Sequence, residues 1–523
     1  MKHARFERWL GPALASALPL ALLFALTLAG CVDDAGLHAN IKPLMPAADA
    51  LAKTAGTQTN GAWPTPDWVQ QYRDPQLNEL VGEALQQNPD MQIAKSRIGV
   101  AQSQLEQFAS LTGLTGTAGA SVTKARLPQP SDVANVSVAG ETIPVQLFGE
   151  PTASPSALFA GLSYQFDLWG KNAAMTRGLL SERDAARVDA EQARLSLSVA
   201  VVTLYFELDR AYALQDNLQE KQHASEYVND VLRERFARGL DNAYDAADAL
   251  LKQNRLVAQM ELNDEQIKLT QLQLGVLSGR GAERGLAIHR PQLADLADLD
   301  PAGLPARLPV DLLGRRPDIV AARLRAEAAV ANVDATRAQF YPDVNLVAFA
   351  GLTALTPASL FTHEALTGSI GPAISLPIFD RSRLRAKLGG DFASVDAAVS
   401  LYNKTIEQAL GEVAQRLTSL RTVDKLVQQQ AQAVDAATHI VSIADQRHER
   451  GLVMQKDVML ADLTLLDERA QQVDLQTQRR MLQVQLVAAL GGGFDEQKIA
   501  GPPLSHFQAA FPSHGRITDT HFD

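Results

Sequence analysis

The chain has 523 residues, 46% of them hydrophobic and 20% charged, with a formal net charge of -11 and a single cysteine. Beyond residue 30 no apolar run approaches the roughly 20 residues that a membrane-spanning helix needs, which excludes a multi-spanning helical membrane protein. The acidic balance speaks against a nucleic-acid partner, and one cysteine cannot close an internal disulfide.

The first 30 residues have a character of their own. Lys2, Arg5 and Arg8 form a basic head, Leu10 to Leu28 an apolar core, and Ala29-Gly30 a small-residue cleavage site, the pattern of an export signal. Cys31 follows directly and looks like the cysteine of a bacterial lipobox, which implies that it is acylated and becomes the new N-terminus. Val32 stands where aspartate commonly retains lipoproteins at the inner membrane, so the resemblance points to the outer membrane. Loss of Lys2, Arg5, Arg8 and Glu7 takes the formal charge from -11 to -13 (-11 - 3 + 1).

Asn88-Pro89-Asp90 then opens an alanine-rich helical stretch. After it comes a segment carrying Pro128, Pro130, Pro144, Pro151 and Pro155 and rich in Ser, Thr and Gly, which reads as a loop. Around that loop the period changes to two: Leu158, Ala160, Leu162, Tyr164 and Phe166 alternate with Phe159, Gly161, Ser163 and Gln165, a mostly small or polar set. The pattern is that of a transmembrane β-strand with a wet interior. An ordinary half-buried hairpin has the same alternation.

The chain has 25 prolines, yet none lies between residues 156 and 290 or between 378 and 501. Proline breaks helix interiors, so both blocks predict very long helices. The stretch from Trp169 to Arg238 would run roughly 100 Å at about 1.5 Å per residue. Further on, Met260, Ile267 and Leu274 recur every seven residues, as do Leu262, Leu269 and Val276. The two stripes lie about 200° apart around a helix. One helix thus carries two apolar seams, which suits a stave with a neighbour on each side.

The second half repeats the first. Arg316-Pro317-Asp318 matches Asn88-Pro89-Asp90, "LPIFDRS" matches "YQFDLWG", "RHERGLVM" matches "RFARGLDN", and "LGG" ending at Gly492 matches "LSG" ending at Gly279. Phe166 to Gly239 is 73 positions and Phe379 to Gly451 is 72; Gly239 to Gly279 is 40 and Gly451 to Gly492 is 41. The chain is a tandem duplication. Only the interval carrying the proline-rich loop differs, 76 positions from Asp90 to Phe166 against 61 from Asp318 to Phe379. In the second copy Ile370, Pro372, Ile374, Leu376 and Ile378 alternate with Ser369, Gly371, Ala373 and Ser375. Two hairpins make four strands per chain. Four strands cannot close a barrel, and an open edge in lipid leaves backbone groups unpaired, so several chains must contribute to one barrel.

The lipobox, "DPQLNELVGEAL" (Asp74 to Leu85), the paired helix starts, the "FDLWG" and "IFD" junctions and the doubled "RGL" turns resemble the outer membrane factors of tripartite exporters. These are the TolC-like channels, in their lipoprotein (NodT-type) branch, and the likeness runs from about residue 63 to 495. It implies a mainly α fold with a β-barrel part: a homotrimer with a 12-stranded barrel in the outer membrane, three chains of four strands, and a long α-helical barrel crossing the periplasm. The implied organisation is a signal peptide (1–30), a lipidated linker (31–62), a first repeat (63–279), an inter-repeat linker in a mid-height belt (280–314), a second repeat (315–495) and a tail (496–523).

The resemblance also places function. Arg238-Gly239-Leu240 and Arg450-Gly451-Leu452 are the turns where long helices reverse, since glycine permits the positive φ that ends a helix. By resemblance these are periplasmic tips, and Gly239, Leu240, Gly451 and Leu452 are candidate contacts for a periplasmic membrane-fusion adaptor protein. Family channels often carry acidic residues six and nine positions past the second-copy glycine, forming a ring that narrows the closed entrance. Here position six is Asp457 but position nine is Leu460, with Asp245 and Asp248 past the first tip. Three copies of Asp457 near an axis would repel one another and attract cations; a solvated helix face is the plainer reading. An inner-membrane transporter of the RND, MFS or aromatic-acid type supplies energy in such systems, and the lipoprotein branch commonly exports drugs or small organic toxins.

Enzyme chemistry finds no foothold. The ten histidines carry no HExxH or paired metal spacing. "SVTK" (Ser121 to Lys124) lacks the partner motifs of a serine-lysine nucleophile, and "GRGAERG" (Gly279 to Gly285) has the wrong spacing for a phosphate loop. No cofactor is expected. The reading is a passive gated exit duct, with outer-membrane lipid around it. Its rival is a periplasmic coiled-coil scaffold lipoprotein that opens no pore.

Overall fold

A computed structural model describes residues 36–46, 62–126, 134–138, 141–145, 152–293 and 308–496. The signal segment, Cys31 and the tail beyond residue 496 lie outside the described residues. The chain divides into two compact units, one of residues 1–40, 101–181 and 327–396, the other of 41–100, 182–326 and 397–523.

The duplication is visible element by element. The first copy runs α1 (Pro75–Gln87), α2 (Pro89–Thr112), β1 (Thr115–Val122), the short β2 (Ala125–Arg126), β3 (Ala134–Val138), β4 (Glu141–Val145), β5 (Thr152–Ala153), then β6 (Ser156–Phe166), α3 (Lys171–Ala237) and α4 (Ala243–Leu277). After a five-residue helix α5 (Ala282–Leu286), the second copy runs α6 (Leu308–Arg315), α7 (Pro317–Ala338), β7 (Asp343–Ala354), β8 (Leu366–Ser375), α8 (Arg381–Glu449) and α9 (Gln455–Ala489). The proline-free blocks are the long helices: α3 has 67 residues, α8 has 69, and α4 and α9 have 35 each. Proline stands instead at the first position of α1, α2 and α7, where its missing N–H costs nothing. No helix among the described residues is long and apolar enough to cross a membrane.

In the first unit the four longer strands form one antiparallel sheet, in the order β1-β6-β7-β8. Register decides what its faces are. Leu158 pairs with Leu352, Leu162 with Ala348, Tyr164 with Leu346 and Phe166 with Val344; on the flanks Gly116 pairs with Leu162, Ala348 with Ile370 and Val344 with Ile374. Directly opposed residues share a face. One face is therefore apolar across all four strands, from Ala118 and Ala120 to Ile370, Pro372 and Ile374, with Ser156 and Tyr164 its polar members. The other carries Thr115, Thr117, Ser163, Gln165, Asn345, Thr367 and Ser369, interrupted by Phe159, Val347 and Phe349. The apolar face is uncovered: Leu158, Leu162, Phe166, Leu366 and Ile374 are all exposed, and Ile370 is 76% exposed. Among the described residues β1 and β8 have no partner on their outer edges.

Two expectations need adjusting. The alternation through Leu376 and Ile378 outlasts the strand, which ends at Ser375 just before Pro377, a residue that cannot donate to a ladder. The loop between β1 and β6 is not structureless: β2 pairs with β5, and β3 pairs with β4 as a hairpin, with Asn135 opposite Pro144. The five prolines concealed the alternation of "ANVSV" and "ETIPV".

The second unit is helical. Asp74 caps α1 by accepting from the N–H groups of Gln76 (2.8 Å) and Leu77 (3.2 Å), and the hydroxyl of buried Tyr205 on α3 donates to its other oxygen at 2.7 Å. Around them pack Trp68, Tyr72, Leu77, Leu80, Val202, Phe206, Ile267 and Leu274. The two seams of α4 part company here. Ile267 and Leu274 are buried, whereas Leu262, Leu269 and Val276 are exposed. One seam is used inside the chain and its opposite is left uncovered.

Candidate functional site

The two helix reversals sit in the second unit and are built alike. Past the end of α3, Gly239 takes φ +69°, its N–H donates to Phe236 O and the N–H of Leu240 reaches back to Arg235 O (both 2.9 Å). Past α8, Gly451 takes φ +68°, and the N–H groups of Gly451 and Leu452 donate to His448 O and Arg447 O (both 2.8 Å). This closes off the last carbonyls of each helix, and only glycine adopts the backbone without strain. Leu240 and Leu452 are left 61% and 64% exposed, with Tyr244 and Met454 exposed beside them. Nothing lies within 4 Å of where a Cβ would stand on either glycine, so each turn presents an open surface.

The turns are held by groups not apparent in the sequence. Arg235 donates to both oxygens of Asp241, at 2.6 and 2.9 Å, and its third nitrogen reaches Met454 Sδ at 3.4 Å. The hydrogen bonds from Arg235 hold the Asp241 carboxyl below the ordinary carboxylate range. Asn242 caps α4, accepting from the N–H groups of Tyr244 and Asp245. In the second turn His448 Nδ1 donates to Val453 O at 3.1 Å.

The acidic candidates are not equivalent. Asp457 sits at the third position of α9 and accepts the N–H of Met454 at 2.9 Å, so its carboxylate is engaged in closing its own helix start. Asp248 pairs with Lys252 at 2.8 Å, one helical turn on. Asp245 is exposed in the first turn of α4, where the helix dipole favours a negative charge. Leu460, nine positions past Gly451, is exposed. A different carboxyl is perturbed: burial pushes Asp462 up, the Asp445 charge adds to this, Arg469 opposes it and Glu220 reinforces it.

Sequence reasoning missed the ladder that ties α3 to α9. Asp209 pairs with Arg480, Arg210 with Asp474 and Lys221 with Asp467, each at 2.7 Å, and Asn217 Nδ2 donates to Leu466 O at 2.8 Å. The partners stand more than 240 positions apart, so only the duplication's geometry brings them together. Val228, Leu232, Ala249 and Met459 continue the contact with apolar packing near the turns. Among the described residues no group of three or more His, Cys, Asp or Glu side chains is placed to hold a metal ion.

A family model for the outer membrane efflux protein matches residues 80–280 and 308–492, skipping the inter-repeat linker. The chain is 30% identical over 489 residues to the multidrug resistance outer membrane protein MdtQ of Escherichia coli, covering 92% of this chain and 98% of that protein. It is 34% identical over 398 residues to the fusaric acid resistance protein FusA of Burkholderia cepacia, covering 73% and 71%. Among solved structures, the outer membrane protein VceC of Vibrio cholerae superposes with a TM-score of 0.72 at 34% identity, over 83% of this chain and 100% of that one. With long duplicated helices, a four-stranded sheet and matches across both copies, the chain belongs to the outer membrane efflux protein family, and its place is the outer membrane.

Proposed function

We propose that three copies of this chain join their sheets edge to edge into a closed 12-stranded barrel, β8 of one copy meeting β1 of the next (three times four strands). The duct so formed is the passive exit of a tripartite efflux pump. The observation that carries this reading is the sheet: register aligns one apolar, uncovered face over four strands, and among the described residues both edges end without a partner. In lipid such edges cost several kcal/mol per unpaired group, so closure with further copies is the way out. The uncovered seam of Leu262, Leu269 and Val276 on α4 supports the same assembly, because a stave needs a second neighbour.

The exposed leucines of the two turns, Leu240 and Leu452, with Gly239 and Gly451 behind them, receive a periplasmic membrane-fusion adaptor. An inner-membrane transporter of the RND, MFS or aromatic-acid type works through that adaptor, and no catalytic step belongs to this chain. Asp457, Asp245 and Asp248 line the narrowed entrance, with Asp457 also serving as a helix cap. Cys31 is acylated after cleavage of residues 1–30. The cargo is drugs or small organic toxins, in keeping with relatives named for multidrug and fusaric acid resistance. The rival scaffold reading predicts a chain without a pore.

The test is reconstitution of the purified full chain into a planar bilayer. The duct gives discrete single-channel steps; steady baseline current with inserted protein would sink the proposal.

A further inference from the structure

The two copies of the strand-to-helix junction differ in a way the duct does not require. After the shared Phe-Asp pair, the first copy reads Leu168-Trp169-Gly170-Lys171-Asn172-Ala173-Ala174 and the second Arg381-Ser382-Arg383-Leu384-Arg385-Ala386-Lys387. One cation stands in the first stretch and four in the second. The first junction is closed on itself. Asp167 accepts the N–H groups of Asn172 (3.0 Å) and Ala173 (2.8 Å), Lys171 is tied to Asp343 at 3.0 Å, and Trp169 stacks on Tyr341 with its indole N–H donating to Pro342 O at 2.8 Å.

The second junction is open. Phe379 is 96% exposed and Ile378 is exposed beside it. Arg381, Arg383 and Lys387 are exposed as well, Arg383 while pairing with Asp380 at 3.0 Å and Lys387 while donating to Gln339 at 3.0 Å. Four cations in the first two turns of α8 oppose the helix dipole, which favours acids there. A local rule broken in one copy of a repeat and kept in the other marks a candidate functional site.

We propose that this junction binds the headgroup of an anionic phospholipid, with Phe379 and Ile378 among the acyl chains and Arg381 and Arg383 on the phosphate. The occupant follows from position and chemistry. Ile370 and Ile374 on the exposed sheet face are followed, past the end of β8, by exposed Ile378 and Phe379 and then at once by the cation cluster, so the chain passes from apolar to basic within a few residues, as at a membrane surface. Arginine forks match phosphate oxygens. A cavity of about 460 Å³ lined by Lys171, Asn172, Gln339, Asp343, Arg383 and Leu384 opens beside them and provides room for the headgroup. The inference rests on reading the sheet as membrane-embedded.

The test uses the full chain in phosphatidylcholine vesicles containing spin-labelled phosphatidylglycerol, with the protein-immobilised lipid measured by electron paramagnetic resonance. Flotation of the protein with the vesicles is scored separately. Wild type is expected to prefer phosphatidylglycerol over spin-labelled phosphatidylcholine by about tenfold. The double variant R381Q/R383Q brings the ratio near one, F379S weakens retention of both lipids, and R233Q, an exposed arginine on α3, leaves the ratio unchanged. The inference is overturned if R381Q/R383Q keeps the preference, if R233Q loses it equally, or if inorganic phosphate displaces the lipid, which would make this a free-anion site. It is also overturned if R381Q/R383Q breaks the oligomer while lipid preference persists, since the cluster would then join copies of the chain. Protein that fails to float overturns the membrane reading itself, and the lipid site with it.

Discussion

The two faces of the sheet make opposite demands on neighbouring residues of one strand, and Ile370 and Ser369 test them. Both lie near the middle of β8, paired with Ala348 and Phe349 of β7, and differ in the face they occupy. An arginine at a lipid-facing midplane position costs about 2–4 kcal/mol, so three copies in one barrel would lose roughly 6–12 kcal/mol. Loss of an isoleucine that is 76% exposed in the lone chain removes about 2 kcal/mol more of transfer into lipid per copy. Arginine at Ser369 meets water in the lumen and changes stability by roughly 0.5 kcal/mol or less. The expected outcome is that I370R nearly abolishes oligomer in outer-membrane fractions, while S369R matches wild type in amount and in resistance to detergent on unheated gels. Equal behaviour of the two variants would refute the assignment of the faces, because a sheet wet on both sides tolerates either charge.

Three further outcomes follow from the helical unit. L240D with L452D should reduce drug export to the level of a deletion strain while oligomer and outer-membrane amount stay at wild-type values; retained export would remove the turns from the adaptor interface. D462N should stabilise the protein at neutral pH by less than about 1 kcal/mol, because solvent screens a partly exposed group. The sign follows from burial and the Asp445 charge, which raise this carboxyl above its unfolded value. The folded state then holds the proton more tightly, and stability is lost as pH rises through the ordinary carboxylate range to the raised value. The advantage of D462N should therefore vanish in melts run below that range, and a gain that persists in acid contradicts this origin. Y205F removes the donor to Asp74 at 2.7 Å in a buried site and should cost about 1–3 kcal/mol in denaturant unfolding at fixed protein concentration; an unchanged midpoint would mean that Gln292 N–H, also on Asp74, suffices.

Much of the fold was legible because its signals are local or periodic. Two proline-free blocks became helices of 67 and 69 residues, since one proline would have broken either. Matched intervals between glycines marked the reversals, because positive φ leaves little choice of residue. Alternation in β6 and β8 marked the faces, but the end of β8 was set by Pro377 and not by hydrophobicity, so Leu376 and Ile378 were placed in a strand that stops short of them. The β3–β4 hairpin was lost among prolines. Side-chain pairing was illegible throughout. Arg480 finds Asp209 across 271 positions, and no pattern in either neighbourhood announces it. The same holds for the acids past the turns. Asp457 stands out by its distance from Gly451, its engagement with Met454 N–H is a local cap, and the perturbation of Asp462 depends on packing between helices.

The mass of the detergent-solubilised protein, measured by light scattering with the detergent contribution subtracted, tests pooled closure most directly. Three chains per particle is the predicted result. A particle of one chain, stable and still able to insert into bilayers, would contradict it, since four strands would then have found some way to live in lipid with both edges bare.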